Sequence, residues 1–136
     1  MKHTIALSFI LGLVITACTK TSEDRYQQAV TDYDAKKYDA AIAQLDTVLQ
    51  QDNTFVNAYI VRGNSKLNLK DFDGAIEDYT KSLALVDSAN NKADILSSRG
   101  SAYFELGNFD QAKEDFLSAT VQNPDYAEAY YLLALS

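Results

Sequence analysis

Tryptophan is absent from this chain, and histidine, cysteine, methionine and proline occur once each among 136 residues. Glycine occurs only five times. A chain so poor in helix breakers, and rich in Ala, Leu, Asp and Tyr, is composed like an ordered helical protein rather than a linker or disordered tail. Cations are also in short supply: 12 Lys and Arg stand against 19 Asp and Glu, a net charge of −7. Such a chain repels phosphate backbones, which argues against nucleic acid as a partner. The length suffices for one small domain.

The one long uncharged run lies at the start. Met1-Lys2-His3 is short and positive, and Thr4 to Ala17 then carries 14 residues without a charge. A membrane span needs roughly 20 apolar residues, so the run is short for a stable crossing and fits the apolar region of a signal peptide. Ile15-Thr16-Ala17-Cys18 resembles the lipobox of bacterial lipoproteins, and polar Thr19 to Asp24 follows as a tether would. That resemblance implies cleavage before Cys18, acylation of its thiol (palmitate being one such chain), and acylation of the new amino terminus. An ordinary signal peptide, or a buried helix with an incidental cysteine, are the other readings. Processing at Cys18 removes Lys2, His3 and Met1 and leaves a side-chain charge of 11 − 19 = −8. The mature chain then holds no histidine, methionine or free thiol, so the usual general base, soft metal ligands and strongest nucleophile are missing. This inventory points away from catalysis.

The remaining residues repeat. "AYIVRGNSKLNLKDFDGAIEDYTKSLALVD" from Ala58 and "ILSSRGSAYFELGNFDQAKEDFLSATVQNP" from Ile95 align on Arg-Gly, matching Gly63 with Gly100, Phe72 with Phe109, Ala75 with Ala112 and Tyr79 with Phe116. An earlier copy places Ala29, Tyr38, Ala41 and Leu45 in the same columns. Ala41 to Ala75 is 34 residues and Ala75 to Ala112 is 37, with the surplus in "DSANNKAD". The 34-residue period, the Gly, Ala and Tyr/Phe spacing, and Pro124 at the repeat end resemble the tetratricopeptide repeat. Small residues recur where two antiparallel helices must approach closely. Asp39, Asp73 and Asp110 fall in the first turn of each second helix, where negative charge suits the dipole. The expectation is an all-α tetratricopeptide-repeat α-solenoid of three antiparallel helix pairs plus a C-terminal partial repeat. Helices are predicted at about 23–36, 39–51, 55–69, 72–86, 92–106 and 109–122. The domain plan is a signal peptide at 1–17, a tether at 18–24 and the repeat domain at 25–136, with repeats at about 22–55, 56–89, 93–126 and a partial 127–136.

Two further columns vary together. Arg62 and Arg99 are each followed 16 residues later by an acid, Asp78 and Asp115, and the first copy carries Gln28 and Gln44 instead. This predicts an ion pair between the helices of repeats two and three and an amide contact in repeat one. Solvated charges on neighbouring turns are the alternative. At the other end "AEAYYLLALS" is apolar on most sides, unlike a polar capping helix, so the natural chain continues or this end meets a partner, a second copy included.

The resemblance implies a concave groove lined by the first helices. Its columns hold Tyr26, Val30, Tyr33 and Asp34 in the first copy, Asn57, Ile60, Asn64, Leu67 and Asn68 in the second, and Asp94, Ser97, Ser101, Phe104 and Glu105 in the third. Aromatics, asparagines and carboxylates together suit a peptide with basic residues. Some members of the family clamp a C-terminal carboxylate with Lys, Arg and Asn; here those columns offer Asn64 beside Tyr26, Ile60 and Ser97, so that mode is not supported. No metal site is expected: Asp71-Phe72-Asp73-Gly74 starts like a calcium loop, but Ala75 and Ser82 stand where ligands belong. No cofactor and no catalytic residue is expected either. The functional expectation is a lipid-anchored protein-interaction scaffold or adaptor in the bacterial cell envelope, attached through Cys18 to the outer membrane by analogy with Thr19 after the cysteine, on its periplasmic or its surface face. A surface lipoprotein that binds a small ligand or glycan is the alternative.

Overall fold

The computed structural model describes residues 20–125; the signal segment, Cys18 and the partial repeat at 127–136 lie outside the described residues. Within them the chain forms α1 Ser22–Asp34, α2 Tyr38–Gln51, α3 Val56–Asn68, α4 Phe72–Leu85, α5 Ala89–Glu105 and α6 Phe109–Gln122, with no strand. Consecutive helices pair as α1 with α2, α3 with α4 and α5 with α6, and successive pairs stack through α2 on α3 and α4 on α5. α3 also touches both α1 and α5, so the first helices of the three pairs line one side. This is a right-sized all-α solenoid of helix hairpins, each burying its apolar stripe on its neighbours.

The alanine columns are the reason the helices can pack. Ala29, Ala41, Ala58, Ala75, Ala102 and Ala112 are all fully buried. The glycines show the same logic at closer range. A Cβ on Gly63 would meet the Tyr79 ring at 2.9 Å, and one on Gly100 would meet the Phe116 ring at 2.8 Å. In the first repeat the column reads Ala29 and Leu45, both buried, so the smaller partner leaves room for a methyl group. Small and large residues thus compensate across each hairpin. Burying Leu45, Val48 and Phe116 contributes about 2 kcal/mol each by transfer from water.

Every helix end but the start of α5 falls within two residues of the sequence reading, α1 ending at Asp34 rather than 36, and two of the shifted starts have a local reason. α1 starts at Ser22, because Thr21 caps it: the Asp24 amide donates to Thr21 Oγ1 at 3.1 Å while the Thr21 amide donates to Asp24 Oδ2 at 3.0 Å. This reciprocal box takes Ser22 to Asp24 out of the tether. α5 starts at Ala89, three residues ahead of the predicted 92, with the Lys92 amide donating to the Ser88 carbonyl at 3.0 Å. The surplus residues of the third repeat therefore lengthen α5 rather than the loop, since no Gly or Pro interrupts them.

The hairpin turns repeat as well. Lys36, Lys70 and Gly107, in equivalent positions, all take positive φ, at 59°, 63° and 77°. Beside the turns Tyr33 meets Tyr38 with ring centroids 5.6 Å apart, and Phe104 meets Phe109 at 5.3 Å, both edge to face.

Candidate functional site

Arginines fix the spacing of the helices that carry the groove. Arg62 on α3 donates from Nε and Nη2 to Asp78 at 2.9 and 2.6 Å, and from Nη1 to Asp46 on α2 at 2.7 Å. Lys66 adds a third cationic contact to Asp78, at 3.0 Å. Arg99 on α5 repeats the fork to Asp115 at 2.7 Å twice, and reaches back to the Thr80 hydroxyl on α4 at 3.0 Å. Asp46 and Thr80 occupy the same repeat column, so each arginine ties three helices: its own, its hairpin partner and the last helix of the previous repeat. The carboxylates are almost inaccessible, Asp78 at 1% and Asp115 at 4%. Burial alone would pull the Arg62 guanidinium down, but Asp78 and Asp46 together raise it further above its ordinary value. The bond to Asp115 raises Arg99 likewise. Both stay charged throughout the accessible pH range.

The first repeat departs from the expected amide contact. Gln44 accepts from Arg25 Nη1 at 3.4 Å, while Gln28 donates to Asp32 at 3.4 Å. Arg25 stands almost one turn before Gln28, and its longer side chain takes the partner that Gln28 was expected to find. Its Nε is buried without a hydrogen-bond partner.

On the side lined by first helices two cavities open between α3 and α5. One, of about 280 Å3, is lined by Asn57, Ile60, Asn64, Asn91, Asp94, Ile95 and Ser98. The other, of about 360 Å3, is lined by Leu67, Asn68, Lys70, Phe72, Ser101 and Glu105. Eight residues named from the sequence thus come together: Asn57, Ile60, Asn64 and Asp94 in the first, Leu67, Asn68, Ser101 and Glu105 in the second. The first-repeat residues line neither. Tyr26 is half-buried against Phe55, ring centroids 4.9 Å apart, Val30 is half-buried, Tyr33 lies on Tyr38, and Asp34 is exposed at the end of α1. Phe104 rests on Phe109 beside the second cavity without lining it. Ser97 is buried at 4%, its carbonyl accepting from Ser101 Oγ at 2.9 Å and its own hydroxyl unpaired, so it is no part of the open surface. Its short side chain falls below the level that Ile60 reaches in the same column.

Sequence reasoning missed Asn91, Ile95, Ser98, Lys70 and Phe72. Ser98 shares a column with Val61, which packs against the first-repeat core; a serine in an apolar column is the signal that was there to read. Asn91 was passed over because the loop was expected to run past it.

Tyr79 joins the core to the site. Its hydroxyl donates to Asn64 Oδ1 at 2.7 Å. Burial pushes its phenol far above the ordinary value, with Tyr33 adding to the rise and a bond to Ser98 opposing it. The hydroxyl therefore keeps its proton and occupies the Asn64 oxygen, leaving the Asn64 Nδ2 donors for a guest. Chemically the surface offers amide donors and acceptors, two apolar floors and carboxylates. No group of three or more His, Cys, Asp or Glu side chains among the described residues is arranged to hold a metal ion. No helix of the described residues is long and apolar enough to cross a membrane.

Comparison with known families agrees with this architecture. A family profile described as tetratricopeptide repeat matches residues 26–90, and a second, described as TPR repeat, matches 100–136. The chain carries tetratricopeptide repeats. The small glutamine-rich tetratricopeptide repeat-containing protein of Dictyostelium discoideum is 38% identical over 68 residues, half of this chain. The match spans only a fifth of that relative's length. Among solved structures, the Arabidopsis OM64 TPR domain superposes with a TM-score of 0.77 at 24% identity, over 83% of this chain and 93% of that one. The first TPR of Spaghetti (RPAP3), bound to the HSP90 peptide SRMEEVD, gives 0.76 at 22% identity, over 84% and 90%. At these identities the likeness is one of fold.

Proposed function

We propose that this array is the interaction domain of a lipid-anchored adaptor in the bacterial cell envelope, holding a segment of a protein partner along α3 and α5. The observation that carries the reading is the pair of adjoining cavities, at the first of which the side chains of Asn57, Asn91 and Asp94 make no bond to another described residue. A peptide backbone supplies donors and acceptors at every residue, which is what such amides satisfy. The TPR fold binds peptides in several of the structures this chain resembles, which supports a protein partner. A scaffold that presents a surface and performs no reaction accords with the sparse chemical inventory of the chain.

The anchor rests on the lipobox at Cys18. With α1 beginning at Ser22, three residues remain between them, a reach of about 14 Å when extended. Acylation at Cys18 would hold the repeats close against the bilayer, with several acyl chains anchoring firmly where one would not. The outer membrane is our assignment, by analogy with Thr19 after the cysteine.

Two measurements test this. A photo-crosslinking residue at Asn57 should trap one partner in cells at stoichiometric yield, and the same residue at Glu77 on α4 should not. Equal trapping at both would refute the groove. Labelled palmitate should be incorporated by the wild type and lost in Cys18→Ala, with release from the membrane fraction; unlabelled wild type would refute the anchor.

A further inference from the structure

The first cavity is chemically lopsided. Its seven lining residues include one ionic side chain, Asp94, and neither a lysine nor an arginine. The side chains of Asn57, Asn91 and Asp94 make no hydrogen bond or ion pair to another described residue and stand exposed at its rim. Ile95, buried at 2%, and half-buried Ile60 give it an apolar wall. Asn64 enters with its oxygen already taken by Tyr79. At about 280 Å3 the space falls below the roughly 300–1,000 Å3 of pockets that enclose a whole small ligand. It has room for one side chain.

We propose that this cavity is a pocket for a single lysine or arginine side chain of the bound segment, an inference that rests on the groove being the binding surface. The aliphatic stem lies along Ile60 and Ile95, as long cationic side chains do on apolar surface. The charged head meets the Asp94 carboxylate, and the amide oxygens of Asn57 and Asn91 take its remaining protons. Asn64 Nδ2 donates to a backbone carbonyl of the same segment. An acidic side chain finds no cation here and is repelled by Asp94. The second cavity does not discriminate in this way, because Lys70 and Glu105 give it charges of both signs. The whole chain, at −7, favours approach of a basic segment, but only the first cavity specifies where the cation goes.

The test starts from random heptapeptides displayed and selected on the full chain, with affinities of the selected peptides then measured by fluorescence anisotropy. The expected result is a basic residue at one fixed position, whose replacement by norleucine weakens binding at least ten-fold. Asp94→Asn should cause the same loss, and Glu77→Gln, the same charge change on an exposed α4 residue, less than two-fold. Asp94→Lys should redirect selection to Asp or Glu at that position. Equal losses in Asp94→Asn and Glu77→Gln would mean long-range attraction alone and overturn the pocket. Peptides that need Asn64, Leu67 and Glu105 yet carry no fixed basic residue would overturn the pocket and leave the groove standing. Peptides indifferent to substitution of those three residues by alanine would overturn the groove and the pocket together. Asp94 is exposed and unbonded within the described residues, so circular dichroism of its variants should match the wild type.

Discussion

The first repeat and the two that follow solve one packing problem with different chemistry. In repeats two and three a glycine faces an aromatic ring, and an arginine forks onto a buried aspartate. In repeat one an alanine faces a leucine, and the corresponding contact is a single 3.4 Å bond from Arg25 to Gln44. The backbone is the same. What changes is how much each repeat depends on its predecessor: Arg62 and Arg99 bond backward to Asp46 and Thr80, while Gln28 has no preceding repeat among the described residues to bond. The ionic ties are therefore devices for joining repeats as much as for closing a hairpin. They also hold the α3–α5 spacing on which both cavities depend.

The comparison breaks most visibly at Arg62. Arg62→Met leaves Asp78, 1% exposed, with Lys66 as its only cationic partner among the described residues, and removes the tie to Asp46. Stranding a buried charge costs about 3–5 kcal/mol. Arg25→Met, which removes one long bond in repeat one, should cost less than about 1 kcal/mol. Urea denaturation midpoints of the two variants measure the difference. Equal losses would show that the two kinds of repeat are energetically alike.

The glycine–aromatic pairing gives the next effect. Gly63→Ala drives a methyl group into the Tyr79 ring, and overpacking of this kind costs about 1–3 kcal/mol, offset by up to about 1 kcal/mol of helix propensity. We expect a net loss of about 1 kcal/mol. The double variant Gly63→Ala/Tyr79→Leu reproduces the Ala29–Leu45 pairing of repeat one. It should therefore be more stable than the sum of the single changes by about 1 kcal/mol, the coupling read from a double-mutant cycle. Strict additivity would refute the compensation.

Much of this was legible before any coordinates. Period, column sizes and the covarying Arg/Asp pairs determine which helices pair and which side chains meet, because helix geometry converts a 16-residue separation across a hairpin into contact. The two ion pairs follow from that, and the fold class from the family resemblance that the same columns carry. Three things did not follow. Gln28 and Gln44 share the columns of a contact without making it, since a column says where Cβ atoms lie and not how far a side chain reaches. Ser97 stands in a groove column and is buried, because a short side chain sinks below its taller neighbours. The "DSANNKAD" segment reads as a polar connection with helix only from 92, yet Ala89 to Asn91 already belong to α5, polar composition being no obstacle to an exposed turn. The cavities depend on these local heights, so three of the seven residues lining the first and two of the six lining the second escaped the sequence reading.

A smaller effect sharpens the turn comparison. Lys36 and Lys70 occupy the left-handed region that Gly107 enters freely. A side chain there costs roughly 1 kcal/mol. Lys70→Gly should raise stability by about that amount less the added chain entropy, a net gain of a few tenths of a kcal/mol, and Gly107→Ala should lower it by about 1 kcal/mol. Thermal unfolding of the two variants should shift in opposite directions. A shift of the same sign in both would mean that the turns are held by something other than their backbone angles.

The last difference lies at the helix starts. α1 has the Thr21–Asp24 capping box, whereas α3 and α5 begin without a side-chain cap bond. The Thr21 hydroxyl and amide hold the Asp24 carboxyl below its ordinary value near 3.8, and Thr54 does the same for Asp52 after α2. A carboxyl whose folded value is depressed adds stability that is present above its unfolded value and fades as pH falls through the folded one. Both groups are fully exposed, so the effect is small and local. Acidification from pH 5 toward pH 3 should therefore loosen the first turn of α1 more than that of α3, seen as earlier loss of amide protection at Asp24 and Arg25 than at Tyr59 and Ile60. In Thr21→Ala the Asp24 carboxyl should titrate at a higher pH, and the difference between the two helix starts should shrink. If α1 and α3 lose protection together in the wild type, the cap contributes nothing to the order in which the repeats fray, and the first repeat is distinguished by its packing pair and its lack of ionic ties.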